Sequence, residues 1–204
     1  GAIHYHNGDL KKAQDLARQN IDAFESGCEL VVTTAAGCGA MLKEYDLILR
    51  DDPAYSEKAK AFCVRVRDIT ELLADSTLPP LTHPQNISVT YHDACHLAHG
   101  QKVTAAPRKL LAQIPGLKLI PLPESDQCCG AAGTYFLTQP EMAAKLADRK
   151  LANIASTGAS VCVIANAGCT LHLCRRAAQV GEPVKIVHPV ELLYAAAFGD
   201  EVKE

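Results

Sequence analysis

The sequence predicts an α/β protein built from two repeated, layered units with mainly parallel sheets. Three observations carry this. Short apolar, β-branched runs alternate with stretches of helical period, which is the pattern of strand–helix–strand units. A segment recurs: "GCELVVTTAAGC" at 27–38 matches "GASVCVIANAGC" at 158–169, with Gly27, Val32, Ala36, Gly37 and Cys38 repeated 131 positions later. A Pro-, Thr- and Ser-rich stretch, "DSTLPPLTHPQN" at 75–86, stands between the copies as a linker.

The strands are expected at 29–35, 63–69, 87–93, 117–123, 161–167 and 184–189. Each is short and rich in Val and Ile, and the connections between them are long enough for right-handed crossovers. The first long helix is "GDLKKAQDLARQNIDAFES". Asn7 or Asp9 caps it, Leu10, Ala13, Ala17, Ile21 and Phe24 form its apolar face, and "KKAQDLARQ" is its solvated side. Pro140 opens "QPEMAAKLADRKLANIAS" at a first helical position. "APRKLLAQI" and "PVELLYAAAF" complete the helical set.

The repeat continues past its first match. Arg18 recurs as Arg149, while Glu71, Leu72 and Leu73 recur as Glu191, Leu192 and Leu193 at an offset of 120. The first copy therefore carries about 11 extra residues (131 − 120), expected around "LILRDDPAYSEK". Gly1 falls where Gly130 falls, directly after a cysteine pair. We expect residues 1–78 to be a first repeat truncated at its N-terminus and 79–204 a complete second repeat, the chain being the C-terminal part of a longer polypeptide.

Composition narrows the function. Of 204 residues, 48% are apolar, enough for a sizeable core, and the formal net charge of −3 offers no electrostatic case for nucleic acid. Tryptophan is absent, so a base-stacking platform is not expected. No apolar run reaches the ~20 residues of a membrane span. Nine cysteines and an opening with no export signal point to a reducing, cytoplasmic setting, and an odd number cannot pair fully. Metal or redox chemistry is the better reading.

Four cysteines follow strands. Cys95 follows "ISVTYHD", Cys128 and Cys129 follow "LKLIPLP" after a short loop, and Cys169 follows "VCVIANA". In an open parallel sheet the C-terminal strand ends share one edge, where helix N-termini tolerate negative charge. Four converging thiolates there suit an iron–sulfur cluster. A vicinal pair closes a strained ring as a disulfide, but as two soft ligands to one cluster it needs no such ring. Gly130 after the pair lets the backbone approach closely. Cys38 is the counterpart of Cys169 without partner cysteines of its own, and is expected as a free thiol here, though a metal ligand in the intact protein. Cys28, Cys63, Cys162 and Cys174 are expected as packing residues. His172 is expected as a structural histidine, with a fallback metal ligand as the alternative. His92, His96 and His99 flank Cys95 and are expected as satisfied or exposed imidazoles, with hydrogen bonds to a cluster as the alternative. His4 and His6 follow the position of the missing pair.

The spacing C-x32-CCG-x38-C, carried by "YHDACHLAHGQK", "SDQCCGAAGTYF" and "ANAGCTLH", resembles the cysteine-rich CCG domain of heterodisulfide reductases. "CHLAHGQK", "CCGAAGTY", "DRKLANI" and "GCTLHL" resemble more closely the C-terminal region of glycolate oxidase iron–sulfur subunits, to which lactate-utilisation iron–sulfur proteins are similar. The resemblance implies a [4Fe–4S] cluster on Cys95, Cys128, Cys129 and Cys169. It also implies an electron-transfer role beside a flavoprotein (FAD-bearing) dehydrogenase subunit that oxidises glycolate or D-lactate, with electrons passing towards the respiratory chain and the complex peripheral on the membrane. Such proteins carry two ferredoxin-like clusters N-terminal to this region, and no C-x2-C-x2-C-x3-C-P run occurs here. The terminal C-x2-C of heterodisulfide reductase-type domains is "CTLH" here, with His172 at its last position, and "CGAM" in the first copy. Four cysteine ligands therefore remain in the second copy. A thiol–disulfide reductase and a structural zinc module are the competing readings.

Overall fold

The computed structural model describes residues 1–25, 27 and 29–199. It is an α/β structure with parallel sheets, as the alternation predicts. The first half runs α1 (Ala2–His6), α2 (Leu10–Ala23), β1 (Val31–Thr33), α3 (Ala36–Leu42), α4 (Tyr45–Ile48), α5 (Ser56–Cys63), β2 (Val66–Asp68) and α6 (Ile69–Asp75). The second begins with β3 (Ser88–His92), a π-helical turn (His96–Gly100), α7 (Ala105–Leu111), β4 (Lys118–Ile120) and α8 (Tyr135–Thr138). It closes with α9 (Pro140–Ser156), β5 (Val161–Ile164), α10 (Ala167–Val180), β6 (Ile186–Val187) and α11 (Pro189–Phe198).

β1 and β2 pair in parallel, and the other strands form a parallel sheet in the order β4-β3-β5-β6. The register follows the internal repeat. Val32 pairs with Arg67, and Val163 pairs with Val187. Those two pairs are equated by the offsets of 131 and 120, so the extra residues of the first copy fall inside its crossover, at α4 and α5. Both copies then start a helix from a capping box, Asp68 with Glu71 and His188 with Glu191.

The strands are shorter than their apolar runs. Cys63 closes α5 instead of opening a strand, and Ile69 already belongs to α6. On α2, Ala13, Ala17 and Ile21 are buried, but Leu10 is 48% and Phe24 38% exposed, so the packed face is narrower than the apolar one. Asp9 caps that helix through the Lys12 N–H at 3.1 Å.

In the first half Ile21, Val31, Met41, Tyr45, Phe62 and Val66 pack together, with Tyr45 and Phe62 stacked at 5.4 Å. The second sheet is covered on both faces. The halves are not separate bodies. Leu73 and Ala74 of α6 pack into the core built on Leu110, Leu192 and Leu193. Ala36 of α3 joins the core that holds Cys129, Cys162 and Cys169.

Candidate metal centre

The sheet order makes the site. The chain leaves β3 for β4 on one side and returns to β5 on the other, so β3 and β5 flank a switch point, where a parallel sheet opens a crevice at its C-terminal edge. Cys95 lies three residues beyond β3, at the start of the π-helical turn. Cys169 lies in the first turn of α10, just beyond β5. Cys128 and Cys129 arrive on the loop between β4 and α8.

All four thiols line one cavity of about 270 Å³. Cys129 and Cys169 are buried, and Cys95 and Cys128 half-buried. The sulfurs form a continuous chain of contacts, Cys95 to Cys128, Cys128 to Cys129, and Cys129 to Cys169. The neighbouring Cys129 and Cys95 thiols draw Cys128 well below the ordinary thiol range, and Cys129 draws Cys169 down. The opposite shift falls on their neighbours: Cys128, then Cys169, then burial hold Cys129 up, and Cys128 with burial raises Cys95. Four thiolates packed this closely repel one another, so protons are shared along the chain. A cationic metal group takes the place of those protons, because it stabilises every thiolate at once.

The loop carrying the cysteine pair is pinned from behind by the Ser125 carbonyl. It accepts from the Asp93 N–H at 3.0 Å, from His92 Nδ1 at 2.9 Å and from Lys150 Nζ at 3.4 Å. Lys150 Nζ also donates to the Glu124 carbonyl. Lys150 is 1% exposed, and burial draws its ammonium below the usual lysine range while thiolate charge at Cys129 and Cys162 opposes that. Asp93 is fixed by Arg108 through two contacts of 2.6 Å. Gly130 has φ +94°, and a Cβ there would lie 2.6 Å from the Ala143 carbonyl oxygen, so only glycine fits behind the pair. Its N–H donates to Cys128 Sγ at 3.3 Å.

Asn166 links the two halves at the cavity. Its Oδ1 accepts from the Gly37 N–H and its Nδ2 donates to Cys169 Sγ, each at 3.2 Å. Cys38, expected as a free thiol here and a ligand in the intact protein, is exposed and lines the same cavity as the other four. His172 is not brought to the thiols: its Nε2 lies 3.3 Å from the Ala143 carbonyl oxygen, and its ring faces Phe136 at 5.8 Å. Of the packing cysteines, Cys162 is fully buried in β5 with burial raising it to about 12, Cys63 sits 3.4 Å from the Leu42 carbonyl, and Cys174 is half-buried on α10. Cys28 lies outside the described residues.

His92 is the residue whose role the sequence leaves open. It is the last residue of β3, fully buried, and its Nε2 has no hydrogen-bond partner within 3.5 Å. Nε2, Cys129 Sγ and Cys169 Sγ all lie within 4.8 Å of one another. An orphaned buried nitrogen costs roughly 1–3 kcal/mol, and here it faces two thiols. The donor set therefore fits an iron–sulfur or other soft-metal group. Lys150 reads in sequence as part of a patterned helix and Asn166 as part of a strand, and neither carries a sign of a place at the site.

The profile of a family described as "CCG: Cysteine-rich domain" matches residues 1–43 and 89–174. The chain is 40% identical to the "Probable glycolate oxidase iron-sulfur subunit" of Bacillus subtilis, over 97% of this chain and 46% of that protein. It is 38% identical to the "Glycolate oxidase iron-sulfur subunit" of Escherichia coli, over 85% of this chain and 43% of that one. With "Lactate utilization protein A" of Geobacillus kaustophilus it shares 33% identity, over 96% of this chain and 82% of the relative. The chain thus spans less than half the length of the first two relatives. Among the described residues no helix is long and apolar enough to cross a membrane.

Proposed function

Because this chain belongs to the CCG cysteine-rich domain family, we propose that it is part of the iron–sulfur subunit of a 2-hydroxy-acid oxidising complex, acting in electron transfer. The observation that carries this reading is the convergence of Cys95, Cys128, Cys129 and Cys169 on one cavity at the switch point of a parallel sheet. Those four residues would hold a [4Fe–4S] cluster, with 1–78 and 79–204 as the two repeats that enclose it. When bound, the cluster supplies reversible one-electron exchange.

The chain's own residues bind, orient and shield. Lys150 sets a buried positive charge beside Cys129, offsetting thiolate charge. The Ser125 carbonyl node fixes the loop of the cysteine pair, and Asn166 donates to Cys169. The Gly130 N–H donates to Cys128. Ala131 lines the cavity and is itself buried in the core, which keeps that wall apolar. Substrate oxidation belongs, in this reading, to a flavin-bearing partner subunit acting on glycolate or D-lactate. Electrons leave towards the respiratory chain, with the complex in the cytoplasm and peripheral on the membrane.

Anaerobic purification with iron and sulfide analysis tests this. The expected result is a brown protein with about four irons and four sulfides per chain. A second reading rests on the compact grouping of His92, Cys129 and Cys169, which suits a single zinc ion. A colourless protein holding one zinc and no sulfide would replace the first reading with it.

A further inference from the structure

We propose that His92 Nε2 is a direct metal donor at the Cys129–Cys169 end of the site, so that the bound group has a nitrogen ligand besides its thiolates. This rests on the metal-binding reading given above. Three observations converge on it. His92 Nδ1 faces the Ser125 carbonyl oxygen at 2.9 Å. A carbonyl only accepts, so Nδ1 carries the proton and the neutral ring presents a lone pair at Nε2. That is how metal-bound histidines are held, with the far ring N–H tied to a carbonyl.

Nε2 is also sealed from solvent, and its neighbours are the sulfurs of Cys129 and Cys169, with no oxygen or nitrogen partner. The lone pair faces those sulfurs, and a metal is the partner that suits a nitrogen and two sulfurs together. Finally, Nε2 and the sulfurs of Cys129 and Cys169 lie within 4.8 Å of one another. That spacing is close enough for a single ion to reach all three, and in a cluster it sets Nε2 beside the metal atoms that Cys129 and Cys169 would hold.

His96 offers a contrast. Its Nδ1 lies 3.8 Å from Cys95 Sγ, on the open side of the cavity near His6. His172 is turned to Ala143. His92 is the imidazole that is both buried and aimed at the thiols.

The test uses the full chain, loaded anaerobically with iron and sulfide in one arm and with cobalt(II) alone in the other. Pulsed EPR is recorded on the reduced iron–sulfur form, with and without 15N-labelled histidine. The expected result is a strong histidine-nitrogen coupling in the wild type and in a His6→Asn/His96→Asn variant. His92→Ala should lose it, and His92→Cys should retain metal without it. If His92→Ala fails to fold, the labelled wild type and the double variant still decide. Iron and sulfide bound with no such coupling, or with coupling that survives His92→Ala, would overturn this inference and leave the cluster reading standing. Failure to retain iron and sulfide would instead overturn the cluster reading, and the cobalt arm then decides. A cobalt(II) affinity at least about tenfold weaker in His92→Ala supports the donor role, since even outer-shell partners count for that much. Equal affinity overturns it.

Discussion

Asn166 and Gly37 are joined by a 3.2 Å hydrogen bond, from the glycine N–H to the side-chain oxygen of the asparagine. They lie 129 positions apart in the chain. The same side chain donates to Cys169 Sγ at 3.2 Å. One amide therefore couples the contact between the halves to the chemistry of the site. Asn166→Ala should cost about 1–2 kcal/mol, read as a lower midpoint in urea unfolding. Asn166→Asp keeps the acceptor for Gly37 but sets a carboxylate against Cys169. It should lose bound metal in a chelator challenge faster than the alanine variant while unfolding closer to wild type.

The cysteines should not be equivalent. Cys129 is buried between Cys128 and Cys169, and no other thiol can take its place in that chain of contacts. Cys129→Ser should abolish or strongly weaken the visible absorption of the reconstituted protein. Cys38 is exposed on the rim of the same cavity, and Cys38→Ser should leave the absorption intact with about one cluster per chain. The opposite result would assign the site to the first repeat.

Gly130 should tolerate no side chain. At φ +94° with the Ala143 carbonyl oxygen 2.6 Å from a built Cβ, alanine is both strained and crowded. Gly130→Ala should destabilise the fold by about 1–3 kcal/mol. It should also reduce iron retention, because the backbone that moves carries Cys129. Gly8→Ala, at φ +83° with nothing within 4 Å, supplies the control for strain without crowding.

Acid sensitivity should trace to His188 and be moderated by Asp68, the two capping residues of equivalent helices. His188 Nδ1 accepts from the Val190 N–H, so Nε2 carries the proton in the neutral ring, while Asp68 Oδ2 stands unpartnered. Burial lowers His188 and the Asp68 charge partly restores it. A histidine lowered on folding stabilises the protein above its unfolded value of about 6.5 and loses that contribution as pH falls. Burial raises Asp68, so its charge costs stability near neutrality. Asp68→Asn keeps the cap and should lie within about 1 kcal/mol of wild type at pH 7, whereas Asp68→Ala should lose about 1–2 kcal/mol. Below pH 6.5 the asparagine variant should lose stability more steeply than wild type, since His188 no longer has a carboxylate to protonate against. Urea unfolding across pH 5–8 checks both halves of this.

Much of the architecture is legible in the sequence. Strand–helix alternation predicts the layers, and the offsets of 131 and 120 place Val32–Arg67 and Val163–Val187 in matching pairs. The cysteine spacing identifies the thiols that meet, because residues just beyond parallel strands share an edge whatever their separation in sequence. The rest depends on how the two halves sit. Cys38 faces the shared cavity through the Gly37–Asn166 contact, which no periodicity encodes. Lys150 reads as an ordinary helix cation until the Ser125 loop covers it. His92 ends an apolar strand and could equally have been a satisfied core imidazole; only the tautomer set by Ser125 shows where its lone pair points. Leu10 and Phe24 show the converse, since an apolar stripe wider than its partner surface leaves its ends in water.

The placement of α6 against the core of Leu110, Leu192 and Leu193 governs how the molecule can come apart. Leu73 and Ala74 belong to the first repeat in sequence and to the second in packing. Opening the first repeat alone would strip apolar cover from the second, so partial melting gains chain entropy in one half only by wetting the interior of the other. Cooperativity thus extends across the repeat boundary, and the thiol cavity, walled by both halves, persists or dissolves with the whole.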